Sequence, residues 1–146
     1  MRTVASLYNT DFHAWAVKQT NFIKKHQIDK LDLAHLQEEL EIMGATERRE
    51  LSNRLAVLLM HLLKWKYQPP RRSVSWELTI KEQRIEVTKH LDSNPSLKAK
   101  VNEYIDDVYE LATIRAARET KLSEKSFPVK CEWSIKQVLD KNFFPS

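Results

Sequence analysis

The hydrophobic residues of this chain recur at intervals of three and four positions, which is the spacing of one face of an α-helix. The widest stripe consists of Leu51, Leu55, Leu58, Leu62 and Trp65, with further leucines beside it. An apolar face of this width is typical of a helix that contacts several neighbours. We therefore predict a central helix from Thr46 to about Tyr67.

Two shorter stripes precede the central helix. Asp11 is placed to cap the first of these helices and Asp32 the second. Gly44, the single glycine of the chain, is placed to end the second helix in the left-handed conformation. Hairpin turns and phosphate-binding loops rely on glycine, so one glycine argues against a β-rich or nucleotide-loop protein.

Prolines divide the second half of the chain into helices. The pair at 69–70 ends the central helix, because proline lacks the N–H group and restricts the residue before it. Ser73 or Ser75 caps a fourth helix. The Asn94-Pro95 pair begins a long fifth helix that we expect to run to about Lys121.

The predicted fold is therefore all-α, a compact bundle of about five main helices with a C-terminal tail packed across it. The tail, residues 122–146, is expected to hold at most one short helix, from Ser134 to Leu139. We see no linker, and we predict a single helical domain over residues 1–146. No apolar run reaches the roughly 20 residues that cross a bilayer, and one cysteine, Cys131, suits a reducing compartment. We predict a cytoplasmic protein without membrane association.

Several ionisable residues fall on or beside the apolar stripes and are candidates for a site. Arg84 lies within the stripe of the fourth helix, and Arg115 continues that of the fifth. Because a buried guanidinium needs opposite charge, we expect carboxylates to meet both arginines. The candidates are Glu38, Glu39 and Glu119. His61 lies at the flank of the central leucine face.

Two interpretations of this polar cluster stay open. In the first, inter-helix salt bridges fix the register of the helices. In the second, the cluster is the anion-binding pocket of a hydrolase- or transferase-like enzyme. Arg84 and Arg115 would hold the anion and His61 would move protons, with Glu39 or Glu119 orienting it.

A second alternative function is the binding of single-stranded nucleic acid through Arg71, Arg72 and Tyr67. Cations and an aromatic ring are the groups that single strands favour. However, the net charge is only +4, with 24 basic residues interspersed among 20 acidic ones, whereas nucleic-acid proteins segregate positive charge. The spacing also places Trp65 and Trp76 in the core. We do not favour this alternative.

Metal binding has little support in the sequence. His35 and Glu39 are four residues apart and could face one ion, but this pair occurs once and in the order His-x-x-Glu-Glu. Two-metal helical bundles instead repeat Glu-x-x-His on several helices. We predict no metal and no other cofactor.

Several phrases of the sequence resemble the bacterial family called "domain of unknown function 29". They are LDLAHLQEELEIMG, HLLKWKYQPPRRSVSW, TIKEQR and QVLD-x-x-F-x-P. The resemblance runs from about Tyr8 to Pro145 and implies an all-helical cytosolic protein. Its pattern includes Glu39, His61 and Arg84, but Glu132 replaces the proline expected after the cysteine.

The favoured interpretation is a non-enzymatic protein-binding or regulatory module with another protein as its partner. The sequence contains no phosphate loop, catalytic triad or segregated basic face. A module of this kind needs an exposed apolar patch, and Phe143 and Phe144 in the tail are the candidates to supply it if they are not buried. The oligomeric state is left open.

Overall fold

The computed structural model describes residues 3–146, and all regular structure within them is helical, with no strand. The α-helices are α1 (Val4–Thr10), α2 (Phe12–Lys24), α3 (Leu33–Tyr67), α4 (Val74–Ser93), α5 (Pro95–Lys98), α6 (Val101–Thr120) and α7 (Ile135–Leu139). Short 3-10 turns occupy Ile28–Lys30, Pro69–Arg71 and Glu124–Ser126. The predicted all-α class is confirmed, while α1 lies in a segment for which no helix is predicted.

The chain divides into two compact units, residues 1–47 and 48–146. The first contains α1, α2 and the start of α3, and the second contains the rest of α3 and all later elements. The boundary therefore falls inside a helix. The single domain expected from the sequence stays a prediction.

The helix α3 is continuous where the sequence predicts a break. Gly44 lies inside it with no positive φ angle. Thr46, predicted to begin a new helix, donates its hydroxyl to the Ile42 carbonyl at 2.8 Å, one turn earlier in the same helix. The predicted αL role of Gly44 is wrong, because one glycine without a neighbouring proline weakens a helix without ending it.

Aromatic and polar side chains hold the first unit together. The ring of Tyr8 stacks on that of His35 with centroids 4.0 Å apart. Asp32, at the start of α3, accepts from Trp15 Nε1 at 2.9 Å and from the His35 backbone at 3.4 Å, which confirms its capping role. Gln19 Oε1 accepts the Asp32 backbone N–H at 2.8 Å. These bonds tie α2 to the start of α3.

The core of the second unit lies between α3, α4 and α6, with the tail laid across them. Its fully buried side chains include Leu51, Leu55, Leu58, Leu59, Leu62, Leu63, Ile80 and Val87. From the tail, Phe127 and Val138 join the same cluster. The Tyr109 hydroxyl donates to the Pro128 carbonyl at 2.7 Å and fixes the tail to α6.

Most of the other helix ends lie where the sequence predicts them. Asp11 caps α2, Ser73 caps α4, and Ser134 forms a capping box at α7. The predicted long helix from Asn94 is instead the short α5 followed by α6, so that prediction is wrong at its start. At the end of α6, Lys121 adopts the left-handed conformation with φ 61°.

Candidate functional site

Arg84 is the most deeply buried cation of the second unit. It lies on the inward face of α4 and is 3% exposed. Its Nε donates to the Val138 carbonyl at 2.8 Å, and its Nη2 donates to the Phe143 carbonyl at 2.6 Å. The third nitrogen, Nη1, is buried without a hydrogen-bond partner among the described residues.

The guanidinium of Arg84 therefore meets backbone carbonyls and not the carboxylates expected from the sequence. No ion pair of Arg84 is found in the part of the chain that the structure describes. Burial lowers its pKa, which the charge of Asp140 partly offsets. An arginine remains protonated in proteins regardless. The second unit thus contains a buried positive charge without a salt bridge.

A cavity of about 790 Å³ opens beside Arg84, between α4 and the tail. Its lining residues are Glu77, Lys81, Arg84, Ile85, Thr88, Lys89, Leu139, Lys141, Asn142 and Phe144. Four of them are cations and one is a carboxylate, Glu77, which pairs with Lys81 at 3.4 Å. Ile85, Leu139 and Phe144 give the cavity an apolar wall. Its volume is within the range of ligand sites in proteins.

The cavity is not lined by the catalytic set expected from the sequence. His61 lies outside it, half-buried on α3, where Nδ1 is 2.9 Å from the Val57 carbonyl of its own helix. Burial lowers the pKa of His61, and the nearby charge of Lys64 acts in the same direction. Arg115 is half-buried on α6 and makes no ion pair among the described residues. The prediction that a carboxylate meets Arg115 is therefore wrong.

Glu119 has a different partner from the ones expected. It forms a short ion pair with Lys64, which is buried on α3 and also lies 4.5 Å above the ring of Trp76. Lys64 was not predicted as a core residue, because lysines are seldom buried. Its position in the chain, directly between Leu63 and Trp65, is the available signal.

Glu39 belongs to the first unit. It accepts a short hydrogen bond from the Tyr8 hydroxyl, and this bond is the main cause of a rise in the pKa of Tyr8 to about 12. His35 bonds Asp32, at 2.7 Å. His35 and Glu39 therefore bond different residues. Of the residues expected to form the polar cluster, Glu39 and Glu119 have side-chain partners, whereas Arg84 and His61 contact backbone carbonyls.

The residues of the nucleic-acid alternative also have structural partners. Arg72 donates to the Trp65 carbonyl at 2.7 Å and to the Pro145 carbonyl at 3.2 Å. Tyr67 packs edge-on against Phe127, with centroids 5.3 Å apart. Arg71 remains exposed. Arg72 and Tyr67 thus contribute to fixing the tail.

Cys131 is a half-buried free thiol in the tail. Its Sγ lies 3.5 Å from the Trp133 carbonyl. Burial raises the pKa of this thiol, which favours the unreactive protonated form.

Exposed apolar residues form a stripe on the outer face of α4. Val74, Leu78 and Ile85 are 69%, 57% and 60% exposed, and their spacing of four and seven residues places them on one face. A second stripe in the first unit comprises Leu33, Leu40 and Met43 of α3. The tail residues Phe143 and Phe144, expected to form the exposed patch, are half-buried instead. Phe144 packs on Trp65 with ring centroids 5.0 Å apart.

Sequence reasoning located Arg84 but not its surroundings. The carbonyls that bind its guanidinium come from residues 54 and 59 positions further along the chain. A backbone carbonyl has no residue type, so no sequence signal marks it. Lys81, Lys89 and Lys141 look like ordinary surface lysines until the tail folds beside α4.

Of the comparisons with known proteins, the one with family models found a match. The family model described as "Domain of unknown function DUF29" matches residues 7–144. No curated protein and no solved structure matches the chain. Among the described residues, every helix is too short or too polar to cross a membrane.

Proposed function

This chain belongs to the DUF29 family, and we propose that it is a non-enzymatic binding module with another protein as its partner. The observation that carries the proposal is the apolar stripe of Val74, Leu78 and Ile85 on α4. Exposed apolar side chains that share one face of a helix are a feature of interaction sites. The proposal includes a cytoplasmic location, for which the single cysteine is suitable.

The geometry of the stripe supports a helical or extended protein segment as its occupant. From Val74 to Ile85 it extends about 17 Å along α4, at 1.5 Å per residue. This length suits an amphipathic helix of a partner, whose anchoring side chains recur over two to three turns. Lys81 lies on the same face, between Leu78 and Ile85. With Lys89 it continues the surface into the cavity beside Arg84.

The contacts of the predicted catalytic residues also favour binding over catalysis. A general base must reach both the bound substrate and the group that orients it. His61 does not line the cavity that contains Arg84, and Glu39 is paired with Tyr8 in the first unit. Within the second unit, His61 and Arg84 therefore do not share one cavity.

Affinity capture with tagged full-length chain tests this proposal. Wild-type protein and two variants are incubated with native lysate, with and without nuclease. Leu78→Asp places a charge in the α4 stripe at an exposed position, so it should abolish capture without unfolding the protein. Val129→Asp is the matched control, because Val129 is 94% exposed outside the stripe. It should capture the same proteins as wild type.

Three outcomes would contradict the proposal. The first is capture by Leu78→Asp equal to that of wild type. The second is loss of the captured material after nuclease treatment, which would favour nucleic acid as the partner. The third uses Leu40→Asp on the α3 stripe. If that variant alone lost capture, the partner surface would lie in the first unit.

A further inference from the structure

We infer that the cavity between α4 and the tail is a carboxylate-binding site that takes an acidic peptide segment with apolar neighbours. The inference rests on the proposed function for the choice of a protein ligand, and it names the chemistry that the ligand must carry. A glutamate or aspartate of the partner binds at Arg84, and adjacent apolar side chains pack against the cavity wall.

Arg84 supplies the specific donor. Nε donates to the Val138 carbonyl and Nη2 to the Phe143 carbonyl, so the tail holds the guanidinium in a fixed orientation. The remaining nitrogen, Nη1, is a buried donor without a partner in the described part of the protein. Buried donors of folded proteins are nearly always paired. A ligand carboxylate therefore gains a charge-assisted hydrogen bond at a group already desolvated by the fold.

The ring of Phe144 lies beside the guanidinium that carries this donor. Its centroid lies 5.3 Å from the guanidinium carbon of Arg84, and it also lines the cavity. Phe144 is only half-buried. A carboxylate reaches Nη1 when this ring is displaced, and the ligand's own apolar side chain then replaces the packing that the ring loses.

The charges around the cavity favour an anion over a neutral ligand. Glu77 offsets Lys81, which leaves Arg84, Lys89 and Lys141 without a paired acid among the lining residues. Asp140 lies near enough to favour the charged form of Arg84 and offsets part of the positive charge, yet the four cations of the lining still outnumber Glu77 and Asp140. The net field in the cavity is positive and attracts an anionic group.

The apolar wall favours a carboxylate on a peptide over inorganic phosphate. Ile85 is 60% exposed and forms an apolar wall with Leu139 and Phe144. A hydrated anion would make no apolar contact with this wall, whereas a peptide side chain would bury it. An acidic residue next to a leucine satisfies both parts of the site. The charge complementarity and the apolar wall together identify the ligand as an acidic, apolar peptide.

Titration of the ¹⁵N-labelled full-length chain with defined probes tests the inference by NMR. The probes are acetyl-ELLEL-amide, its glutamine counterpart acetyl-QLLQL-amide, and inorganic phosphate. The glutamate peptide should shift the backbone amides of Ile85 and Asn142. It should bind about tenfold more tightly than the glutamine peptide, because only the carboxylate makes a charged hydrogen bond.

Variants connect the binding to the cavity. Lys81→Gln combined with Lys141→Gln changes two exposed rim residues and should weaken binding of the glutamate peptide several-fold. Lys100→Gln, an exposed lysine outside the cavity, is the matched control and should leave it unchanged. Arg84→Lys removes the guanidinium and should also weaken binding. If that variant fails to fold, the rim variants still decide the question.

Four results would overturn the inference. The first two are equal affinity for the two peptides and the absence of any shift with the glutamate peptide. The third is a cavity that binds inorganic phosphate but not the glutamate peptide. The fourth is a Lys100→Gln variant that weakens peptide binding as much as the rim variants do. None of these decides the proposed protein-binding function, which is tested separately at Leu78, outside the cavity lining. Failure of the carboxylate site and failure of the binding module are therefore distinguishable.

Discussion

At the scale of single residues, Arg84 shows how this fold accommodates a cation without a salt bridge. An arginine has five N–H donors and no acceptor, so backbone carbonyls can accept hydrogen bonds from it where no carboxylate is in reach. Its position in the stripe of Ile80 and Val87 made burial predictable from the sequence. Its partners were not predictable, because they are main-chain atoms of a tail that approaches α4 only in the folded protein.

Replacing Arg84 with leucine should lower the free energy of unfolding by roughly 2–4 kcal/mol. The leucine leaves two buried carbonyls, those of Val138 and Phe143, without their donors. Urea unfolding followed by circular dichroism measures the change. Arg118→Leu is the control, because this exposed arginine of α6 should alter stability by no more than about 0.5 kcal/mol. Equal stability of wild type and Arg84→Leu would contradict the role of Arg84 in holding the tail.

His61 should make the stability depend on pH in the acidic range. Burial lowers its folded-state pKa below the ordinary value of 6.5, despite the bond to the Val57 carbonyl. The unfolded chain therefore binds a proton at higher pH than the folded chain does. Stability contributed by neutral His61 is present above about pH 6.5 and is lost as the pH falls toward the lowered pKa.

Thermal melts of wild type and His61→Gln between pH 7.5 and 5 measure this contribution. The variant should lose less stability on acidification than wild type does. His13→Gln changes an exposed histidine of α2 and should retain the wild-type pH dependence. If the melting temperature of His61→Gln falls with pH as steeply as that of wild type, other groups cause the acid sensitivity.

At the scale of elements, helix ends with a specific chemical signal were predicted correctly. Ser73 accepts the backbone N–H of Trp76, and Ser134 forms a reciprocal capping box with Gln137. Gly44 was misread because glycine is common both after helices and, at a cost, within them. Only the neighbouring tertiary contacts decide between these roles, and a sequence pattern does not contain them.

Replacing Gly44 with alanine should raise the free energy of unfolding by about 0.5–1 kcal/mol. Alanine is the better helix former, and a β-carbon at this position meets no atom within 4 Å. Lys121→Gly is the complementary change, since Lys121 has the left-handed φ of 61° that favours glycine. It should stabilise by a similar amount. Destabilisation by Gly44→Ala would indicate that the helix ends at residue 44.

At the scale of the whole molecule, the sequence predicted which faces of the helices carry ionisable residues but not which faces meet. Helical spacing gives the direction of a side chain around its own axis. It gives neither the positions of the helices relative to one another along their axes nor the path of the tail. Glu39 and His61 were therefore grouped from separate stripes of what proved to be one helix. The cavity beside Arg84 depends on the tail and was not predicted.

The boundary between the two units lies in a part of α3 that is largely surrounded by solvent. Residues 46–50 are all exposed, whereas five of the residues from Leu58 to Leu63 are buried in the core of the second unit. Amide exchange depends on how often a backbone hydrogen bond opens, and a solvated helix opens locally more readily than a core helix does. One continuous helix should therefore show two classes of amide protection.

Hydrogen–deuterium exchange of the full chain tests this expectation. Amides of residues 46–50 should exchange at least about a hundredfold faster than those of residues 58–62. Amides of Tyr104–Val108 in α6, which includes three buried side chains, provide the protected reference. Slow exchange at residues 46–50, equal to that of residues 58–62, would contradict this expectation and would mean that another protein surface covers residues 46–50. Repeating the measurement on diluted protein then decides whether a second copy supplies that surface, because protection that depends on association falls with concentration.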